Sequence, residues 1–326
     1  MREIHLITRD NGAGLSEDLR LLAATLVELG HAVRFTEARR SASITRLRLR
    51  TLLAWRGRRE GARRGRFEIN LMIERVRPKL FPLAWRNVLI PNPEWFAEDA
   101  LGTLSAFDRV WVKTAHAARI FSALGCRTEW IGFSSRDRLD RGIARRPWFL
   151  HLAGRSRNKG TRALLSLWAR NPGWPRLTVV WRRKDAGVLP QCGNIVYYRD
   201  YLPDDLLKQL QNAHRFHLCP SETEGFGHYL VEAASVGAVI ITLDAPPMNE
   251  LVTGERGLLV PAMADGRQGL ATLYRCQDGD LAAAVEHAVA LTDSGRQALG
   301  VRARVWYETN ASAFPGRIAA ALANLT

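Results

Sequence analysis

The sequence predicts an α/β protein made of two doubly wound domains, and three observations predict it. Residues 3–8 read as a buried strand, followed by the glycine loop Arg9-Asp-Asn-Gly-Ala-Gly14 and an amphipathic helix from Leu15 to Leu29. The same strand-loop-helix order returns at Trp148-Phe-Leu-His-Leu-Ala153, with Gly154-Arg-Ser-Arg-Asn-Lys-Gly160 as its loop. The third observation is length: 326 residues is long for one core and natural for two α/β domains of about 150 residues each. A composition 47% hydrophobic supplies both cores. Strands alternating with helices imply parallel sheets covered on both faces.

In the first domain, assigned to residues 1–135, the strand after the opening helix is His31 to Thr36. Further strands are expected at Ile69–Ile73, Val88–Ile90 and Val110–Val112. Ligands of open parallel sheets lie beyond the carboxyl ends of the strands. Reading off those ends gives Glu74, then Asn92 and Glu94, then Lys113 and Thr114. In Pro91-Asn-Pro-Glu-Trp95 two prolines stiffen the loop and fix where Asn92 and Glu94 point. His116 is read as a satisfied structural histidine. Ile131-Gly-Phe-Ser-Ser135 closes this domain.

The net charge of +15 is unevenly spread. Arg39 to Arg66 holds eleven arginines, no lysine and one acid, Glu60, which is +10 in 28 residues. Such a block is commonly a solvated segment. Here the arginines interleave with Leu47, Leu49, Leu52, Leu53 and Trp55, the pattern of a basic amphipathic helix. That pattern suits an anionic membrane surface or a phosphate backbone. The start, Met1 to Thr8, is too short and too charged for a signal peptide, and no apolar run reaches eighteen residues. The four cysteines lack C-x-x-C spacing, which argues against zinc or a disulfide framework and for a reducing cytoplasm.

The charged stretch 136–147 reads as an interdomain linker. The second domain, 148–300, continues with strands at Leu177–Trp181 and Ile195–Tyr198, a helix from Pro203, and the strand Phe216–Cys219. Asp278-Gly-Asp280 resembles a metal-binding pair, but Asp280 reads better as a helix N-cap before Leu281, and no metal is expected. Residues 294–326 look helical.

The chain is organised around Cys219 to Glu250. Its core is Glu224-Gly225-Phe226-Gly227, after a polar loop and before the helical run Tyr229 to Val236 and the strand Ala238 to Thr242. Gly225 and Gly227 let backbone approach a ligand closely, and the free amides of a helix start suit an anionic or hydroxyl-rich group. Glu232 lies about two turns inside that helix. The pattern E-G-F-G-x-x-x-x-E closely resembles the donor-site motif of GT-B glycosyltransferases, in particular the large retaining family 4. Gly237 to Thr242, Asp244, Pro246 to Glu250 and Gly257 to Val260 fit the same family.

The resemblance implies two Rossmann-like domains facing a central cleft, with the terminal helices, 301–326, returning to the first domain. It implies transfer of a sugar from a nucleoside-diphosphate sugar, with retention and without a metal. Glu224 would bind the donor sugar, Glu232 the ribose, and the backbone near Phe226 and Gly227 the sugar. Arg155 and Lys159 would stabilise the leaving diphosphate, since bidentate arginine suits phosphate oxygens. The loop with Gly12 and Gly14 would face the donor from the first domain. Where many relatives carry a donor-contacting histidine, this chain offers Asn92 or Glu94, with Lys113 as a further cleft residue. The favoured acceptor is a membrane-associated glycan or lipid-linked intermediate, with the arginine segment at the inner membrane face. The rivals are a transferase acting on hydroxylated bases in DNA and a non-catalytic polyanion-binding protein on a degenerate fold.

Overall fold

A computed structural model describes every residue except Asp10, Asn11, Ala13, 38–65, 184–186 and Thr326. The arginine-rich segment expected at 39–66 therefore lies, but for Arg66, outside the described residues. The chain forms two compact units. The first comprises Met1–Ser135, Arg267–Ala271 and Ala311–Thr326; the second comprises Arg136–Gly266 and Thr272–Asn310.

The first unit holds a six-stranded parallel sheet. Its strands are β1 (Glu3–Thr8), β2 (Ala32–Glu37), β3 (Phe67–Ile73), β4 (Ala84–Ile90), β5 (Arg109–Val112) and β6 (Thr128–Trp130), in the order β2-β1-β3-β4-β5-β6. Helix α1 (Gly14–Glu28) joins β1 to β2, and α2 (Ala115–Ala123) joins β5 to β6. Runs such as Ile4–Ile7 and Leu71–Ile73 are buried along their length, as expected of a sheet covered on both faces.

A polar ladder crosses this apolar sheet. His5 Nδ1 donates to Asn70 Oδ1 at 2.9 Å, and the Thr36 hydroxyl donates to His5 Nε2 at 2.8 Å. Asn70 Nδ2 donates to Asn87 Oδ1 and to the Leu80 carbonyl, both at 2.8 Å. These side chains sit on β2, β1, β3 and β4, so each partner restricts the lateral register of its neighbour. A one-residue slip would leave buried amides unpaired, which costs far more than the net gain of making the bonds.

The second unit holds a second six-stranded parallel sheet in the order β12-β11-β10-β7-β8-β9. It runs β7 (Arg146–Gly154), α3 (Thr161–Arg170), β8 (Leu177–Trp181), β9 (Ile195–Tyr198), α4 (Asp204–Ala213), β10 (His214–Cys219), α5 (His228–Ser235), β11 (Val239–Leu243), α6 (Met248–Leu251) and β12 (Leu258–Val260). A two-stranded sheet of β13 (Met263–Gln268) and β14 (Ala271–Arg275) follows, then α7 (Asp278–Ala290) and α8 (Asp293–Ala323). The chain leaves β7 towards β8 and β9, then returns to β10 on the other side of β7. The strand order therefore reverses between β7 and β10, which is where doubly wound sheets open a crevice.

Three expectations need correction. Residues 136–147 do not form a free linker: Arg138 is buried, and residues 146–147 already belong to β7. Asp280 is not the N-cap, because α7 starts two residues earlier behind Gln277 and places both aspartates in its first turn, where the helix dipole favours them. The boundary at 300/301 is also displaced: α8 runs unbroken from Asp293 to Ala323, and the return to the first unit expected of 301–326 holds from Ala311 onward.

Asn70→Ala should lower stability by about 1–3 kcal/mol, because it strands the His5 and Asn87 side chains in a dry sheet. Urea unfolding of the two proteins measures this, and an unchanged midpoint would deny the ladder any structural weight.

Candidate functional site

The site of the second unit is built by the two loops that diverge at the switch between β7 and β10. The loop after β7 ends at Gly160, the N-cap of α3, in a left-handed conformation with φ 64°. A Cβ there would stand 2.6 Å from the Pro220 carbonyl oxygen, so only glycine lets this loop close on the one after β10. Gly227 caps α5 at φ 101° in the same manner. These two turns bring Lys159 and Glu224 into an ion pair, Lys159 Nζ meeting Glu224 Oε1. Both side chains are about 13–14% exposed, so the pair is shielded yet reachable.

Two residues that sequence reasoning did not single out complete this cluster. Lys159 Nζ lies 3.4 Å from the centre of the Tyr229 ring, a cation–π contact. Ser221 Oγ donates to Glu224 Oε1 at 2.5 Å and meets the Tyr229 hydroxyl on its other side. Burial raises the Tyr229 pKa well above its ordinary value, so the phenol keeps its proton. The expected residues fare unequally. Gly225, Phe226 and Gly227 form the turn beneath the pair and are buried. Arg155 is exposed on the loop after β7, while Lys159 takes the contact with Glu224.

Glu232 sits on α5, held by a buried chain. Gln211 Nε2 donates to Glu232 Oε2 at 2.7 Å, and Arg138 Nε donates to Gln211 Oε1 at 2.7 Å. The guanidinium of Arg138 also grips Asp204, Nη1 donating to both carboxylate oxygens at 2.9 Å. Gln211 is fully buried and fixes which oxygen of Glu232 remains turned away from it. A glutamine on an amphipathic helix and one arginine in a charged stretch give no sequence signal of such a role.

In the first unit the expected residues Asn92 and Lys113 meet. Lys113 Nζ donates to Asn92 Oδ1 at 3.0 Å and to Asp18 Oδ2 at 2.5 Å. Asn92 Nδ2 lies 3.5 Å from Glu74 Oε2, and Glu74 carries φ 67°, a strained backbone for a residue with a side chain. Asp18 stands near the start of α1 and is 2% exposed, although a carboxylate on an amphipathic helix is ordinarily read as solvated. Glu94 is buried in a short 3₁₀ turn, and its carbonyl accepts from Gln268 Nε2 at 3.2 Å. Gly12 donates its amide to Ser16 Oγ at 2.7 Å, and Gly14 opens α1. The expected satisfied histidine is not one: His116 Nε2 is buried without a hydrogen-bond partner among the described residues.

His151 clamps the switch from inside the sheet. Its Nδ1 donates to the Leu218 carbonyl of β10 and its Nε2 accepts from the Thr161 hydroxyl of α3, both at 2.9 Å. Burial lowers its pKa to about 4 from an ordinary 6.5. The unfolded chain thus takes up this proton near pH 6.5 and the folded chain only near 4. Stability should fall through that window as pH drops, by about 3 kcal/mol from this residue alone. Urea melts across the window should show the loss, and His151→Gln should flatten part of it; a slope unaltered by the substitution would remove His151 from the account.

Residues 146–275 match the family of glycosyl transferases group 1. No curated protein matches the sequence. Solved structures match the fold over nearly the whole chain. Sucrose-phosphate synthase from Thermosynechococcus elongatus superposes with a TM-score of 0.69 at 14% identity, covering 100% of this chain and 99% of that one. A glycosyltransferase from Rickettsia africae gives 0.75 at 11%, covering 99% and 98%. HepE from Anabaena, solved with UDP and glucose, gives 0.68 at 14%, covering 99% and 100%. At such identities the likeness speaks for the fold. The chain thus has the GT-B fold of glycosyltransferases, and within it residues 146–275 are similar to the glycosyl transferases group 1 family.

Proposed function

We propose that this protein transfers a sugar from a nucleoside-diphosphate sugar to a hydroxyl acceptor. The observation that carries the reading is the pairing of Lys159 with Glu224 at the β7/β10 switch, inside the segment that matches the transferase family. HepE, a protein of the same fold, was solved with UDP-glucose, which supports a nucleotide sugar as the class of donor.

The chemistry follows from the groups present. Breaking the bond to a diphosphate builds negative charge on the departing oxygen, and cations fixed beforehand stabilise it without reorganisation. Lys159 supplies one such cation and Arg155, on the same loop, a second with bidentate reach. Glu224 already shares its Oε1 between Lys159 and Ser221, so its second oxygen is the acceptor for a donor-sugar hydroxyl. Glu232, oriented by Gln211, is the carboxylate for a ribose hydroxyl pair. The amides near Phe226 and Gly227 open α5 and add donors for sugar oxygens. In this reading the reaction retains configuration, needs no metal, and the leaving phosphate takes the acceptor proton. The acceptor is a membrane-associated glycan or lipid-linked intermediate, a reading that rests on the eleven arginines of 39–66 alone. Among the described residues no helix is long and apolar enough to cross a membrane.

Labelled sugar from a panel of nucleotide sugars, offered to lipid vesicles and to hydroxymethylated duplex DNA, tests the reading. Lys159→Met should lower kcat/KM about 10²–10³-fold, the size of effect that removing one preorganised donor to a developing negative charge has elsewhere. Glu232→Ala should weaken binding of the preferred nucleotide about tenfold with the fold intact. Unchanged nucleotide affinity in Glu232→Ala would sink the donor-site assignment, and label in DNA would replace the lipid acceptor.

A further inference from the structure

The second unit contains a cavity of about 810 Å³ at the carboxyl ends of β7, β8, β10 and β11. That volume lies within the range of small-molecule sites, roughly 300–1,000 Å³. Lys159, Glu224 and Glu232 do not line it. The loop after β7 divides the two places: Lys159 turns to Glu224, while Arg157, Asn158 and Gly160 form part of the cavity wall. The opposite wall comes from β14, where the Tyr274 amide donates to the Glu222 carbonyl at 2.8 Å, and from Leu281 of α7.

The lining is cationic. It carries four arginines, Arg157, Arg162, Arg183 and Arg275, against two carboxylates, Glu222 and Asp278. Arg275 lies 3.6 Å from Glu222 and 2.9 Å from Asp265, and Asp278 is paired with Arg170, which is outside the lining. Burial raises the pKa of Glu222 above its ordinary value, against the opposing pull of Arg275. A second source of positive potential is the start of α3, a ten-residue helix whose N-cap, Gly160, has no side chain to cap it. Its first three residues, Thr161, Arg162 and Ala163, all line the cavity, and their amides point out of the helix start.

Two aromatic residues give the cavity an organic face. Trp181 at the end of β8 is 4% exposed, and its indole N–H has no acceptor among the described residues. The Arg162 guanidinium lies 5.9 Å from the centre of that ring. Tyr274, Leu273 and Leu243 line the same space. Cationic side chains, a helix start, a buried donor lacking an acceptor and an apolar wall call for one kind of ligand, an anion with a carbon skeleton.

We propose that this cavity binds a small phosphate monoester, with the phosphate against the start of α3 and the organic part against Trp181 and Tyr274. The site lies beside the donor site without sharing a side chain with it, and the inference does not rest on the transfer reaction. Isothermal titration of the full chain with glucose 6-phosphate and with inorganic phosphate tests it, using wild type, Arg162→Gln/Arg183→Gln and Lys159→Met. The expected result is saturable binding of the ester, tighter than that of inorganic phosphate. The double variant should lose about tenfold in affinity while Lys159→Met stays within about twofold. Should the double variant fail to melt cooperatively, Arg162→Gln alone, at an exposed position, carries the same direction of effect. No saturable binding in wild type, binding kept by the arginine variants, or binding lost in Lys159→Met would each overturn the proposal. Inorganic phosphate binding as tightly as the ester would overturn the organic half of the site.

Discussion

Two parallel strands that lie side by side must send their following loops somewhere, and at β7 and β10 the loops part because the helices after them cover different faces of the sheet. The crevice between them exists before any side chain is placed. What the side chains add is a clamp. His151 joins the two strands and the first residue of α3, while the absence of a side chain at Gly160 lets the loops touch at Pro220. With the loops fixed in this way, Lys159 and Glu224 meet without any rearrangement. Preorganisation is therefore a property of the backbone here, and the charged residues inherit it.

The first unit solves a different problem at the ends of its strands. Lys113 and Asp18 are both withdrawn from water, and the desolvation cost of such a pair can exceed the attraction between its members. The pair is a poor device for stability. Its better use is orientation, since the ammonium also holds Asn92 by its side-chain oxygen, and Asn92 in turn faces Glu74. The strained backbone at Glu74 fits the same picture, because strain persists only where surrounding structure over-determines it.

The doubly wound architecture was legible because its signal is repetitive: apolar runs, glycine loops and amphipathic helices recur down the chain, and each repetition supports the others. The motif from Glu224 to Glu232 was legible because its spacing is local, and a single turn and helix set its geometry. Gln211 and Arg138 were not legible. Their roles depend on contacts with residues 21 and 73 positions away, and nothing in their neighbours distinguishes them from solvated polar residues. Asp18 was not legible for the same reason, since only the fold brings Lys113, 95 positions away, over it. The helix start at Asp278 was misplaced by three residues because an aspartate suits an N-cap and a first helical turn equally well, and here both aspartates sit in the first turn.

The stretch read as a linker shows how far a local reading can mislead about role. Residues 136–147 carry charges, a glycine and a proline, all marks of an exposed connection. Yet the backbone amide of Arg138 donates to Ser235 Oγ, its carbonyl accepts from Asn212, and its guanidinium supports Gln211 behind Glu232. A residue with those partners cannot move without disturbing α4 and α5 together. The carboxylate of Glu232 is thus anchored to the segment that begins the second unit, and its orientation depends on an arginine 94 positions earlier in the chain. Sequence motifs mark where chemistry occurs; the residues that aim it are found among the buried polar groups whose partners lie far along the chain.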